Sequence, residues 1–222
     1  MSEGFDLGRL TVPTHSAIRI ETASGTVIYL DPFNLTSAEA AHDADAVLVT
    51  HAHFDHYSPE DIARVANEGT VLVVPASMAD EADAFDGRTC LMIAGDRLEI
   101  PGTGVSVEAV PAYNVAPERL GMHPHENGWL GYVLEIDGER IYVSGDTDQN
   151  PDNESVDCDV ALVPIGGTYT CDPVQAAAFV NGLRPAVAIP THYGTVVGTH
   201  DDFDAFAAAV DPAISVVKKL ER

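Results

Sequence analysis

Lysine is nearly missing from this chain: of 222 residues only Lys218 and Lys219 are lysines, and Lys and Arg together number 11 against 35 Asp and Glu. The formal net charge of -24, with no basic cluster, speaks against a track that would follow a phosphate backbone, so a nucleic-acid partner is not expected. Cysteine is scarce too. Cys90, Cys158 and Cys171 are odd in number, far apart and not in CxxC pairs, which argues against a disulfide framework or zinc ribbon and leaves three reduced thiols. No apolar run approaches the roughly 18 residues that span a bilayer. Met1-Ser2-Glu3-Gly4-Phe5-Asp6 lacks the basic start and apolar stretch of a signal peptide, so a cytoplasmic protein is expected.

What is present is a core-forming composition. At 45% hydrophobic the chain can bury a large interior, and one domain spanning 1–222 is expected, with no linker, sequence repeat or low-complexity segment. The acid excess does not signal disorder, because the acidic groups are interspersed with periodic apolar segments. Self-repulsion of that size destabilises a compact chain in dilute buffer. At molar salt the Debye length falls to about 3 Å and most of the penalty is screened, so the charge reads as an adaptation to a salt-rich cytoplasm.

Alternation and turn signals lay out the elements. Strands are expected at Ala17–Glu21 and Thr26–Leu30 as an opening hairpin around Ala23-Ser24-Gly25, and Ser58-Pro59-Glu60-Asp61 reads as a helix start running to about Asn67. Further strands are expected at 71–74, 90–93, 105–110, 132–136 and 140–143, the last two closed by Asp137-Gly138. The pattern then alternates: strand 159–165, a helix from Asp172 to about Leu183, strand 186–189, helix 202–210.

Polar residues fall at the ends of these strands. Thr50-His51-Ala52-His53-Phe54-Asp55-His56 follows the apolar run 46–49 and packs three imidazoles and a carboxylate into six residues. Side chains two apart on an extended segment project to one side, so His51 and His53 can converge on one cation, with Asp55 and His56 placed for a second. Asp31, Asp146 and His192 likewise follow apolar strands. Single aspartates there are ordinary turn residues, but four such coincidences point to a site assembled at one sheet edge.

These motifs, His51-Ala52-His53-Phe54-Asp55-His56 with Asp31 before and Gly145-Asp146-Thr147 and Pro190-Thr191-His192-Tyr193 after, resemble the metallo-β-lactamase superfamily over nearly the whole chain. Within it, Pro164-Ile165-Gly166-Gly167 and His192-Tyr193-Gly194-Thr195 are similar to stand-alone metal-dependent hydrolases allied to the ascorbate-6-phosphate lactonases. The resemblance implies an αββα four-layer sandwich of α/β class with two divalent metal ions, Zn or Mn, in a groove at one edge. It assigns His51 and His53 to the first ion, Asp55, His56 and His192 to the second, and Asp146 as the bridge. It places Asp31 behind a ligating histidine, where it would fix the tautomer. Where relatives supply a further histidine to the first ion, this chain reads Ala112-Tyr113-Asn114. The loop Gly121-Met122-His123-Pro124-His125 offers a replacement, His123 ahead of His125, because Pro124 restricts the backbone of His123 to extended conformations.

Two cations about 3.5 to 4 Å apart that share a water lower its pKa from about 15.7 toward about 7, giving a metal-bridging hydroxide and hydrolysis without a protein nucleophile. Asp55 is a candidate proton shuttle, and Tyr193 a candidate for lining the pocket or orienting a leaving group. A lone histidine between strands is more often structural, but His15 stands where the resembling proteins carry a histidine near the site and is placed behind the ligands; Trp129 reads as core, His42 and His200 as solvated. The function expected is hydrolysis of a small-molecule lactone, ester, amide or phosphate ester. A nuclease and a non-catalytic metal-binding protein are the alternatives, and oligomeric state is left open, a homo-oligomer being compatible with the sequence.

Overall fold

The computed structural model describes residues 4–222. Its first half supplies β1 (Leu10–Thr14), β2 (Ala17–Glu21), β3 (Val27–Leu30), β4 (Ala44–Leu48), α1 (Pro59–Val65), β5 (Ala66–Pro75), α2 (Ala79–Ala82) and β6 (Arg88–Met92). The six strands form one sheet in the order β1-β2-β3-β4-β5-β6, antiparallel as far as β3 and parallel from β3 onward. The second half supplies β7 (Arg97–Glu99), β8 (Ser106–Pro111), β9 (Leu130–Ile136), β10 (Glu139–Val143), β11 (Val160–Pro164), α3 (Pro173–Leu183), β12 (Val187–Thr191), α4 (Asp202–Ala209) and β13 (Ser215–Val216). Its seven strands pair in the order β13-β12-β11-β10-β9-β8-β7, antiparallel up to β10 and parallel beyond it.

Local chemistry explains most of these elements. Asp137 and Gly138 both have positive φ (55° and 87°), the two-residue turn whose twist matches a hairpin, and they join β9 to β10. Ser58 caps α1 by accepting the Asp61 N–H, and Pro59 supplies a preset φ at the first helical position. Asp172 and Gln175 form a reciprocal capping box on α3. β1 was not expected, because Pro13 and the polar residues around it break the alternation; it nevertheless lies on the sheet edge beside β2, where a missing N–H is tolerated. α1 ends at Val65, two residues short of expectation, because Ala66 already pairs with Ala44 as the start of β5.

The sandwich follows from burial. Inner faces of both sheets meet in one large apolar cluster that includes Ile20, Leu48, Val73, Leu134 and Ile141 and extends beneath α3 and α4 through Phe179 and Phe206. A second cluster, with Tyr29, Val47, Ile62 and Leu72, seats α1 on the outer face of the first sheet. Helices therefore cover the outside of each sheet, in an αββα arrangement. β3, β4, β10 and β12 all release their chains at one edge, immediately before Asp31, His51, Asp146 and His192.

Candidate metal centre

Histidine side chains meet at that edge because the strands stop there and the loops turn sharply. Asp31 (φ 46°), His15 (φ 52°) and His192 (φ 57°) hold left-handed backbone conformations that cost a non-glycine residue energy and persist only where surrounding contacts demand them. Gly166 makes one close approach possible: a Cβ there would collide with the backbone oxygen of His192.

Asp146 is the hub. Its buried carboxylate stands 3.4 Å from His56 Nε2 through Oδ1, and through Oδ2 it stands 2.9 Å from His192 Nε2, 3.2 Å from His123 Nε2 and 4.0 Å from His51 Nε2. His51 Nε2 and His53 Nδ1 are 3.1 Å apart. Three groups of ligand-type atoms lie within 4.8 Å of one another: His51, His53 and His123; His15, Asp55, His56 and His192; and His51, His56 and Asp146, which link the other two. A tetrahedral ion with bonds of about 2.0 to 2.1 Å has ligand–ligand edges of about 3.3 to 3.4 Å, close to most of these separations. His56 Nε2, His123 Nε2, His192 Nε2 and Asp146 Oδ1 are buried without a hydrogen-bond partner, so the donor set fits a cation better than it satisfies itself.

The far sides of the rings are held. His56 donates from Nδ1 to Asp31 Oδ2 at 2.7 Å. The Thr50 hydroxyl donates to the same Asp31 oxygen at 2.7 Å, so it must accept from His51 Nδ1, 2.9 Å away. Asp31 therefore fixes two imidazoles, one directly and one through Thr50. His123 donates from Nδ1 to the Asn114 side-chain oxygen at 2.8 Å, and Asn114 N–H in turn bonds the His123 carbonyl at 2.9 Å. Asn114 thus stands behind a histidine at this position instead of being one.

Burial and mutual charge set the protonation. Burial by itself lowers His56, yet Asp146 and Asp31 hold it well above the ordinary imidazole range. Burial and the neighbouring His56 push His51 well below that range. Burial by itself raises Asp146, but His192 and His56 keep it ionised, well below the usual carboxylate range. His15 is lowered to about 4, chiefly by burial, and so is neutral; its Nε2–H donates to Asp55 Oδ2 at 3.1 Å while Nδ1 accepts from Thr195 Oγ1 at 2.9 Å. His15 therefore stands behind a ligand of this site, as its place in the resemblance implies, and orients Asp55.

Other expectations are corrected. Trp129 is only half-buried, and its ring lies 4.9 Å from His51, 4.8 Å from His53 and 5.6 Å from His123, a wall of the cluster and not core. Tyr193 is fully buried within the apolar interior, its hydroxyl raised to about 12 by burial, and is not brought to the open side where it was expected to line a pocket. His125 is exposed and packs on Tyr113 at 4.5 Å, leaving His123 as the loop histidine at the centre. His42 and His200 are exposed as expected.

Sequence reading missed the brace of the His123 loop. Buried Arg119 donates from Nε to Asp148 Oδ1 at 2.7 Å and from Nη2 to Gln175 at 2.8 Å, while Asp148 Oδ2 accepts the N–H groups of Val115 and Ala116. The available signal was Asp148 itself, two residues after Asp146, in a chain with few cations to spare.

A family model described as "Beta-lactamase superfamily domain" matches residues 9–192. A UPF0173 metal-dependent hydrolase of Pelotomaculum thermopropionicum is 34% identical, the alignment covering 96% of this chain and 96% of that protein. A crystal structure from Parabacteroides distasonis, described as a metal-dependent hydrolase, superposes with a TM-score of 0.79 at 30% identity, covering 96% of this chain and 93% of the other. Igni18, a metallo hydrolase of the archaeon Ignicoccus hospitalis, shares the fold with a TM-score of 0.75 at 24% identity, covering 96% and 95% of the two chains. With that match along most of its length and a histidine and aspartate cluster at the sheet edge, the chain belongs to the metallo-β-lactamase superfamily, among its metal-dependent hydrolases.

Proposed function

We propose that this protein holds two divalent cations, Zn or Mn, and hydrolyses a small-molecule lactone, ester, amide or phosphate ester. His51, His53 and His123 bind the first ion, Asp55, His56 and His192 the second, and Asp146 is shared. The observation that carries this reading is the position of Asp146, within 4.0 Å of imidazole nitrogens from both groups. Bound there, a pair of cations supplies an acidified water and polarises the oxygen of the bond under attack.

The chain's own residues prepare that chemistry. Thr50, Asp31 and Asn114 hold the Nδ1 of His51, His56 and His123, so that the Nε2 of each is the atom turned to the cluster, where on His56 a cation would take the place of a proton. Asp55, held by His15 and kept ionised well below the usual carboxylate range, would be a ligand first, and its other oxygen is the candidate to relay a proton to the leaving group. No helix among the described residues is long and apolar enough to cross a membrane, and the acidic surface fits a salt-rich cytoplasm.

Elemental analysis after reconstitution tests the reading. About two divalent ions per chain are expected, and Asp146→Ala should lower turnover per folded molecule by on the order of 10³-fold, far beyond what its effect on the melting temperature accounts for. Unchanged turnover in Asp146→Ala, or no bound metal in the parent, would overturn it.

A further inference from the structure

Cations are absent where an anionic substrate would need them. Among the described residues no Lys or Arg side chain hydrogen-bonds or ion-pairs with any of His15, His51, Asp55, His56, Asp146 or His192; the partners of these residues are one another, Asp31, His53, His123 and hydroxyls. Seven of the nine arginines are engaged elsewhere, and the other two, the exposed Arg88 and Arg184, stand at the start of β6 and before β12, the strand ends away from the cluster. Arg9 pairs with Asp6 and Asp137, Arg19 with Glu21 and Asp43, Arg64 with Asp61, Arg97 with Glu108, Arg140 with Glu108 and Glu135, and Arg222 with Glu39. Arg119, the one nearest in sequence to the ligand His123, is buried and spent on Asp148. Both lysines are also occupied, Lys218 over the Phe203 ring and Lys219 on the Leu7 carbonyl.

Aromatic rings stand in their place, one set on each side. Phe33 lies 6.2 Å from His15 and 5.9 Å from Phe54, whose ring is 68% exposed although it sits inside the histidine motif. Trp129 flanks His51 and His53 opposite. A single exposed ring is ordinary on a protein surface, but three rings gathered about one polar cluster offer flat apolar faces to a ligand held there.

We infer that the substrate is a neutral carbonyl compound, an ester, lactone or amide, with an aryl or other flat apolar group that packs between Phe33 and Phe54 on one side and Trp129 on the other. The inference rests on the hydrolase reading and narrows it by excluding phosphate esters. Charge supports the choice. Two divalent cations bring four positive charges against the three carboxylates of Asp31, Asp55 and Asp146, which leaves little surplus for a phosphate dianion. A metal pair can hold a phosphate by itself, but Arg forks or Lys tighten that hold and are missing here, and the net charge of -24 repels anions further at low salt. A cationic substrate is disfavoured by the ions themselves.

Trp129 is the sole tryptophan, so its fluorescence reports occupancy of the site independently of turnover. The metal-loaded protein should be titrated with acetanilide and with phenyl phosphate, and assayed for phenol release from phenyl acetate and phenyl phosphate. Acetanilide should bind at least about tenfold more tightly than phenyl phosphate, and phenyl acetate should be turned over with the higher kcat/KM. Phe54→Ala should weaken acetanilide binding by about three- to tenfold with metal content unchanged, since the ring packs against nothing in the core. Phenyl phosphate binding as tightly as acetanilide, or no fluorescence response to either, would overturn the inference. Preferred binding of acetanilide without phenol release from either ester would instead sink the hydrolase reading and leave the neutral-ligand inference standing.

Discussion

His56 and His123 approach Asp146 from opposite groups of the cluster, and each is held from behind at its Nδ1. The holders differ. For His56 the partner is the charged carboxylate of Asp31 at 2.7 Å, directly after β3 and bonded also to Thr50; for His123 it is the neutral amide oxygen of Asn114 at 2.8 Å. Asp31 rides on a strand end whose register is fixed by β2 and β4, whereas Asn114 and His123 belong to the 112–129 segment, whose shape depends on the Arg119–Asp148 brace. A ligand delivered by a strand end inherits the rigidity of the sheet. One imported on a loop needs the loop to be built for it, and a charged holder makes the imidazole a stronger donor than a neutral one does.

Breaking the brace should separate the two halves most strongly. Arg119→Met leaves Asp148 buried without its counter-charge, and a loss of about 3 kcal/mol or more in unfolding free energy is expected, together with loss of the ion held by His123 and retention of the one held by His56. Equal loss of both ions in metal analysis would mean that the loop is not the weaker half. Next, Asp31→Ala should reduce metal affinity about 100-fold and Asn114→Ala about tenfold, measured by chelator competition. Identical losses would erase the distinction between charged and neutral holders. Asn114→Asp offers the converse and should tighten the His123 side. The smallest effect on this comparison is that of salt: between low and molar KCl the ratio of the two affinity losses should stay fixed, because the cluster is buried, while the melting temperature rises as surface acids are screened. A flat melting curve would leave the acid excess as a solubility feature only.

The same contrast explains what could be read from the sequence. His51, His53, Asp55 and His56 were legible because one strand and one turn deliver them together, and Asp31, Asp146 and His192 because each follows an apolar run. His123 was reached through the gap at Asn114, a chemical argument with no local signal behind it. His15 was reached only through the resemblance, because nothing in Thr14-His15-Ser16 reveals a left-handed residue opposite a loop 40 positions away, joined to it by a bond to Asp55. Trp129 was misread since a lone indole between glycine and leucine looks like core until the fold decides which face it occupies. The edge strands β1, β7 and β13 escaped because short or proline-containing strands lack alternation. Arg119 and Asp148 pair across 29 positions, a separation that no periodicity can signal.

The strand orders have a consequence of another kind. β1 to β6 and β8 to β13 run through the same succession of pairings, two antiparallel and then three parallel, so each half of the chain repeats the path of the other although their sequences show no repeat. In that correspondence β3 matches β10, and each of these third strands is followed by an aspartate of the site, Asp31 at once in one half and Asp146 three residues on in the other. Both grip a single imidazole, His56, one at Nδ1 and one at Nε2. Such a layout is what duplication of an ancestral half-chain would leave behind, each half bringing one carboxylate to the shared edge, Asp31 to support a ligand and Asp146 to face the cluster.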